Sequence, residues 1–151
     1  MELRKATLRD LDAFVENRME FVKSIREIND MNNFRNSTVA YLEEHIGKED
    51  LSIYIAIDDT KIVSSCMACI FQTVPLPSCP KGKSAELLNV YTLKEYRRKG
   101  LAEKLIRMLL CQLKKDGVEK VLLDYTDMGL PLYQKIGFTP LNHQMQLRLS
   151  E

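Results

Sequence analysis

Six residues, Arg97-Arg98-Lys99-Gly100-Leu101-Ala102, carry the chemistry most directly readable in this sequence. They join a predicted strand, Ala85 to Leu93, to a strongly helical run, Leu101 to Lys114. The first backbone N–H groups of a helix have no partner inside it, and the helix dipole leaves that end partly positive. A strand that ends in a basic, glycine-containing turn and opens straight into a helix is therefore a place to bind phosphate. Gly100 lets backbone approach a ligand closely, and Ala102 keeps the first helical turn free of bulk. Arg97, Arg98 and Lys99 add fixed positive charge.

Cysteine offers a second candidate chemistry. Cys66 and Cys69 have the C-x-x-C spacing of zinc and redox sites, but they fall in an apolar, strand-like run from Ile62 to Phe71. Residues three apart on a strand point to opposite faces. Cys79 and Cys111 stand apart from each other and supply no second close pair, whereas a structural zinc site wants four ligands. The cysteines read as reduced, small hydrophobic residues, and no metal is expected. His45 and His143 have no motif around them; His45, near the end of its helix, reads as a dipole partner.

These residues need a scaffold. Glu2 to Ala6 predicts a short strand. Thr7-x-x-Asp10 is a capping-box pattern that opens a helix, with Leu8, Leu11, Val15, Met19 and Val22 at helical spacing until the signal fades by Ile28. The Asn-rich stretch Asn29 to Asn36 predicts a loop, then a helix capped by Asn36 or Ser37, running through Glu44 and stopped at Gly47. Leu51, Ile53, Ile55 and Ile57 alternate with Ser52, Tyr54 and Ala56, and Asp58-Asp59-Thr60 turns that strand into a hairpin with Lys61 to Thr73. Pro75, Pro77, Pro80 and Gly82 predict a surface loop near a site.

After the basic turn, Leu101, Leu105, Leu109 and Leu113 form a helical stripe widened by Ala102, Ile106 and Leu110. Glu103 and Arg107 make an outward i,i+4 pair, and Asp116-Gly117 ends the helix. Lys120 to Tyr125 predicts a strand. Leu130 to Ile136 predicts a short helix, with Pro131 in its first turn, Gly137 past its end and Phe138 packing back. Gln144 to Leu149 alternates again and is expected to close the sheet. The order βααβββαβαβ is of the α+β class, a mixed sheet with helices on its faces. The unit from Ala85 to Tyr125 is expected to be parallel with a right-handed crossover.

Three features resemble the GNAT superfamily of N-acetyltransferases. Leu88-Asn89-Val90-Tyr91-Thr92-Leu93-Lys94-Glu95-Tyr96-Arg97-Arg98-Lys99-Gly100-Leu101-Ala102 is similar to that family's signature strand and its (Gln/Arg)-x-x-Gly-x-(Gly/Ala) acetyl-CoA loop. Leu132-Tyr133-Gln134-Lys135-Ile136-Gly137-Phe138 is similar to its "LYxKxGF" helix end, and the element order fits nearly the whole chain. The resemblance implies a central, mostly antiparallel mixed sheet, splayed at two parallel strands, with helices on both faces. It implies acetyl-CoA as co-substrate and direct transfer to a primary amine.

On these residues it implies that the backbone of Val90, Tyr91 and Thr92 pairs with the pantetheine arm beside a bulge. Backbone N–H groups between Arg98 and Glu103 would hold the pyrophosphate, with Arg97, Lys99, Gly100, Leu101 and Ala102 part of the same loop. Tyr133 would protonate the leaving thiolate, Glu86 falls where several members place a general base, and Thr126 lies on a loop that contacts pantetheine. The Asn29–Asn36 loop is where such proteins shape the acceptor site. The chain departs from the family at Lys94, often Pro, and at Tyr125, often small and here placed to pack over the cofactor or narrow the acceptor channel. Few residues separate Phe138 from Gln144, so the final hairpin is short.

The bulk properties bound these readings. A chain of 151 residues, 45% hydrophobic and 28% charged, is expected to fold as one domain over 1–151. A formal net charge of +1 provides no global field for gathering nucleic acid or anionic membrane. No apolar run reaches the roughly 20 residues of a membrane span, and no apolar signal core follows the N-terminus, so a cytoplasmic location is expected. The partner expected is a small-molecule or peptide amine, and a homodimer is among the assemblies the family uses. A GNAT-like module that binds acyl-CoA as a sensor, without turnover, is the alternative function.

Overall fold

The computed structural model describes residues 1–150. Its strands are β1 (Glu2–Lys5), β2 (Leu51–Asp58), β3 (Lys61–Gln72), β4 (Lys83–Thr92) and β5 (Lys120–Leu122). Its α-helices are α1 (Leu11–Ile25), α2 (Met31–His45), α3 (Leu101–Lys115) and α4 (Leu130–Ile136). The strands form one sheet in the order β1-β2-β3-β4-β5. The first three pairings are antiparallel, and β4 with β5 is parallel. Both sheet faces are covered. The α3 side packs Leu105, Ile106 and Leu109 on Ala56, Val63, Ala68 and Leu87, while Phe14, Met19 and Leu42 cover Ile53, Ile55 and Met67 on the other. This is the α+β, mixed-sheet architecture expected from the sequence.

Several local expectations need correction. Asn29 to Asn36 is mostly helix: α2 begins at Met31, and the Asp30 side chain accepts a hydrogen bond from the Asn33 N–H at 3.0 Å. Packing of Phe34, Thr38 and Leu42 toward α1 and the sheet outweighs the weak helix propensity of the asparagines. The cap is therefore Asp30 rather than Asn36 or Ser37. Leu8, expected in the buried stripe, is exposed, because a 3₁₀ turn over Leu8–Asp10 precedes α1 and breaks the phase. The Asp10 carboxylate still takes the Thr7 N–H at 2.8 Å, completing the predicted box. β5 ends at Leu122 rather than Tyr125.

The largest departure is at the C-terminus. Gln144–Leu149 joins no strand of the described sheet, and Met145, Leu147 and Leu149 are 99%, 83% and 94% exposed. Alternation marks a segment fit for a sheet and does not name the edge it pairs with. The C-x-x-C pair is split as strand geometry requires: Cys66 packs in the cluster under α3, and Cys69 packs against the cluster under α1 and α2. The Pro75–Gly82 loop lies at the start of β4, the opposite end from the basic turn, and its Lys81 N–H bonds Glu119 at 2.8 Å.

Candidate active site

β4 is the element on which the candidate site is built. It pairs with β5 only from Ser84 to Glu86, so the rest of β4 leaves its β5-side edge free. On its other side the β3 register shifts between Ser65 and Met67 while β4 runs from Tyr91 to Leu88. The extra β4 residue makes a bulge, and Asn89 there holds φ of 51°. Asparagine tolerates the left-handed region better than most side-chain-bearing residues.

A polar network inside the protein fixes the bulge. Asn89 Nδ2 donates to Ser65 Oγ at 3.0 Å, Ser65 Oγ donates to Asn17 Oδ1 at 2.6 Å, and Arg18 Nη1 donates to Asn89 Oδ1 at 3.0 Å. Arg18 also lies over the Phe34 ring, 5.8 Å from its centroid, and burial lowers its pKa. Asn17, Ser65 and Asn89 are all buried. Sequence reasoning misses this set. The only signal is a polar residue, Asn89, among apolar neighbours in mid-strand.

Past β4, the basic turn is tied down piece by piece. Arg97 Nε donates to the Thr92 carbonyl at 2.9 Å. Lys99 Nζ sits 5.1 Å from the Tyr96 ring centroid, and the Tyr96 hydroxyl donates to Asp58 at 2.7 Å. Arg98 and Gly100 both adopt left-handed backbone, with φ of 62° and 75°. A methyl group on Gly100 would meet nothing within 4 Å, so open space stands in front of the helix. No side chain caps that end of α3. Leu101 turns its side chain into the core, leaving its backbone for any ligand, and Ala102 is half-buried.

Glu103 would oppose an anion here, but two cations hold it. Lys135 Nζ donates to Glu103 Oε2 at 2.9 Å, and Arg107 Nε donates to Oε1 at 3.1 Å; together they keep its carboxyl below the usual range. The Lys135 contact also pins α4 to α3. α4 carries Tyr133, which packs edge-on against Phe138 with centroids 5.9 Å apart. Burial, with Cys66 nearby, raises the Tyr133 pKa and so keeps its hydroxyl protonated. Gly129 gives Tyr133 room, since a methyl group there would lie 2.9 Å from its ring. Thr126 Oγ1 accepts the Gly129 N–H at 3.2 Å and shapes the entry to α4.

Glu86, Tyr125 and Tyr133 line one cleft of about 820 Å³, which runs along β5 and under α4. The structure thus brings the two candidate proton-transfer residues to a shared space. The basic turn is not part of that cleft's lining; it sits at the far end of β4.

The sequence profile of the acetyltransferase (GNAT) family matches residues 19–138. An N-alpha-acetyltransferase of Saccharolobus solfataricus is 29% identical over 129 residues, covering 80% of this chain and 76% of that protein. A predicted acetyltransferase from Clostridium acetobutylicum, crystallised with acetyl-CoA, superposes with a TM-score of 0.89 at 21% identity, covering 98% of this chain and 96% of that one. Glucosamine-6-phosphate N-acetyltransferase from Arabidopsis thaliana superposes with a TM-score of 0.74 at 19% identity, over 99% of this chain and 100% of that one. The structural likenesses establish the fold, and the profile match over most of the sequence establishes descent: the chain belongs to the GNAT acetyltransferase family.

Proposed function

We propose that the protein transfers the acetyl group of acetyl-CoA directly to a primary amine. One observation carries this reading: an uncapped α3 N-terminus opens behind a basic turn, at the end of a bulged strand whose β5-side edge is left free by the short β5. A long, thin cofactor with a diphosphate at one end matches that shape. The backbone of Val90, Tyr91 and Thr92 would align the pantetheine arm, and the N–H groups from Arg98 to Glu103 would take the diphosphate. The absence of an acidic field at Glu103, held by Lys135 and Arg107, favours the same ligand. Residues 1–151 would act as one domain, in the cytoplasm; no helix among the described residues is long and apolar enough to cross a membrane.

The amine nitrogen attacks the thioester carbonyl carbon, and the carbon–sulfur bond breaks. Glu86, directly or through one water, receives the proton the amine gives up. The Val90 N–H steadies the oxyanion, an effect worth about 3 kcal/mol in comparable sites. Tyr133 returns a proton to the departing sulfur, a role suited to a buried hydroxyl that stays protonated at neutral pH. The protein's main contribution is to hold two substrates in line.

Calorimetry with coenzyme A and acetyl-CoA, followed by thiol release against an amine panel, tests the reading. Binding with turnover supports it. Binding without turnover for any amine converts it to the acyl-CoA module, and no binding removes it. Tyr133→Phe should lower kcat about 10²-fold or more with little change in acetyl-CoA affinity.

A further inference from the structure

Arg18 carries more charge than the fold uses. It spends one N–H on the neutral side chain of Asn89, at 3.0 Å, and the rest of its guanidinium donors bond nothing among the described residues. Holding a neutral amide oxygen needs an N–H and not a full positive charge. Among the described residues no carboxylate pairs with Arg18, although the arginines at 4, 35 and 107 each have one. Its neighbours three and four positions away on α1 are Phe14, Val15, Phe21 and Val22, so its own helix supplies no counter-charge. Phe34 lies against the guanidinium, and burial lowers its pKa with only Cys69 opposing. A cation stripped of part of its water and given no opposite charge is a standing cost to the fold.

This cation faces the same ground as Glu86. Cys69 and Glu86 sit directly opposite each other in the β3–β4 register. Burial above all raises the Cys69 pKa; Glu86 adds to the rise and Arg18 opposes it, so both charges act on one sulfur. Arg18, Phe34, Cys69 and Glu86 are each half-buried, which leaves them open to a ligand at this face. Asn89, which Arg18 holds, lies on β4 between Glu86 and Val90, the stretch beside which the amine and the oxyanion would stand.

We propose that Arg18 selects the acceptor, and that the acceptor is an amine carrying a carboxylate a few bonds from its nitrogen. The inference rests on the transfer reading above, which places the amine beside Glu86. A carboxylate can take parallel N–H bonds from the guanidinium donors the fold leaves over, and it supplies the missing counter-charge. Glu86 meanwhile faces the amine end, so opposite charges on the acceptor meet opposite charges on the protein. A phosphate dianion fits less well. The other arginine of α1 and α2, Arg35, is taken by Glu16, and Glu86 would repel the second negative charge.

Matched pairs of acceptors test it, with acetyl-CoA as donor and thiol release as the readout. One set is tripeptide amides beginning with Glu against Gln and with Asp against Asn; the other is free amino acids against their amides. In at least one set the wild-type kcat/KM should favour the carboxylated member by about tenfold or more. The set that shows the ratio tells a peptide N-terminus from a free amino acid. In Arg18→Gln the ratio should fall to within about twofold of unity, chiefly through KM. Both members of a pair are measured on the same variant, so any general loss through the bulge cancels in the ratio. A ratio near one in every wild-type pair overturns the proposal, as does a wild-type ratio that survives in Arg18→Gln. If Arg18→Gln does not fold, Arg18→Lys decides, since it keeps the charge and loses the planar fork: its ratio should fall about threefold, and an unchanged ratio overturns the proposal. Absence of turnover with every amine overturns this inference and the transfer reading together, whereas turnover without the preference overturns this inference alone.

Discussion

The two faces of the sheet are made differently. Under α3 the contact is a leucine ridge, Leu101, Leu105, Leu109 and Leu113, none more than 7% exposed, laid on small and branched residues of β2, β3 and β4. Under α1 the apolar packing of Phe14 and Met19 is interrupted by Asn17 and Arg18, which reach across to Ser65 and Asn89. A ridge of leucines stabilises without specifying much about backbone detail. A buried polar network requires particular geometry at every member, because any unpaired group is costly. The first face therefore holds the fold, and the second fixes the shape of β4 at the place where a cofactor would lie.

The comparison breaks most visibly at Leu109, which is 0% exposed. Leu109→Ala should cost about 3–5 kcal/mol of unfolding free energy, from lost transfer energy plus the cavity left behind. Urea denaturation measures it. Acetyl-CoA affinity of the molecules still folded should stay within about twofold of wild type, since Leu109 lies about two helical turns beyond Leu101 and the basic turn. A large loss of affinity with little loss of stability would reverse the roles assigned to the two faces.

How well each face can be read from the sequence follows the same division. The leucine stripe and its four-residue spacing are plain, as are the basic turn and the Gly137 stop, because each is a local pattern with one structural meaning. The Asn89 network is not legible: its members lie 24 and 72 positions apart, and no period connects them. Asn29 to Asn36 misleads because composition signals a loop while burial of Phe34 and Thr38 imposes a helix. Gln144 to Leu149 misleads as well: its alternation reads as a closing strand, but no strand forms there, since pairing is a tertiary fact that alternation does not supply. Tyr133 and Glu86 come from the resemblance, and their common cleft becomes visible only with β5 and α4 in place.

The second face can be probed at Asn89, where two substitutions separate strain from hydrogen bonding. Asn89→Ala removes the bonds from Arg18 and to Ser65 and also places an ordinary side chain at φ of 51°. A cost of about 2–3 kcal/mol is expected, from unsatisfied buried groups and left-handed backbone together. Asn89→Gly loses the same bonds but relieves the backbone, so it should fall about 1 kcal/mol short of the alanine cost. Both should weaken acetyl-CoA binding by about tenfold, equivalent to roughly 1.4 kcal/mol, by loosening the bulge. If both variants lose stability and bind acetyl-CoA normally, the network serves the fold and not the site.

The smallest expected effect lies where the second face begins, at the junction of β1 and α1. Arg4 Nη1 and Nη2 donate to the two Asp10 oxygens at 2.8 and 2.9 Å, and the Thr7 N–H adds a third bond. Above all the Arg4 bond, then the Thr7 N–H, hold the Asp10 carboxyl below its ordinary pKa, despite its burial. A carboxylate depressed in the folded state contributes stability above its unfolded pKa, near 3.8, and that contribution disappears as pH falls through the lower folded value. Asp10→Asn keeps a hydrogen-bond acceptor for Thr7 but loses the charge facing Arg4. It should therefore cost about 1 kcal/mol at pH 7 and less at about pH 2.5, below the unfolded pKa, where the charge contributes progressively less to folding. Urea denaturation of both proteins at the two pH values measures the difference. An equal cost at both would assign the effect to hydrogen-bond geometry alone and remove charge from the account of how α1 is held against the sheet.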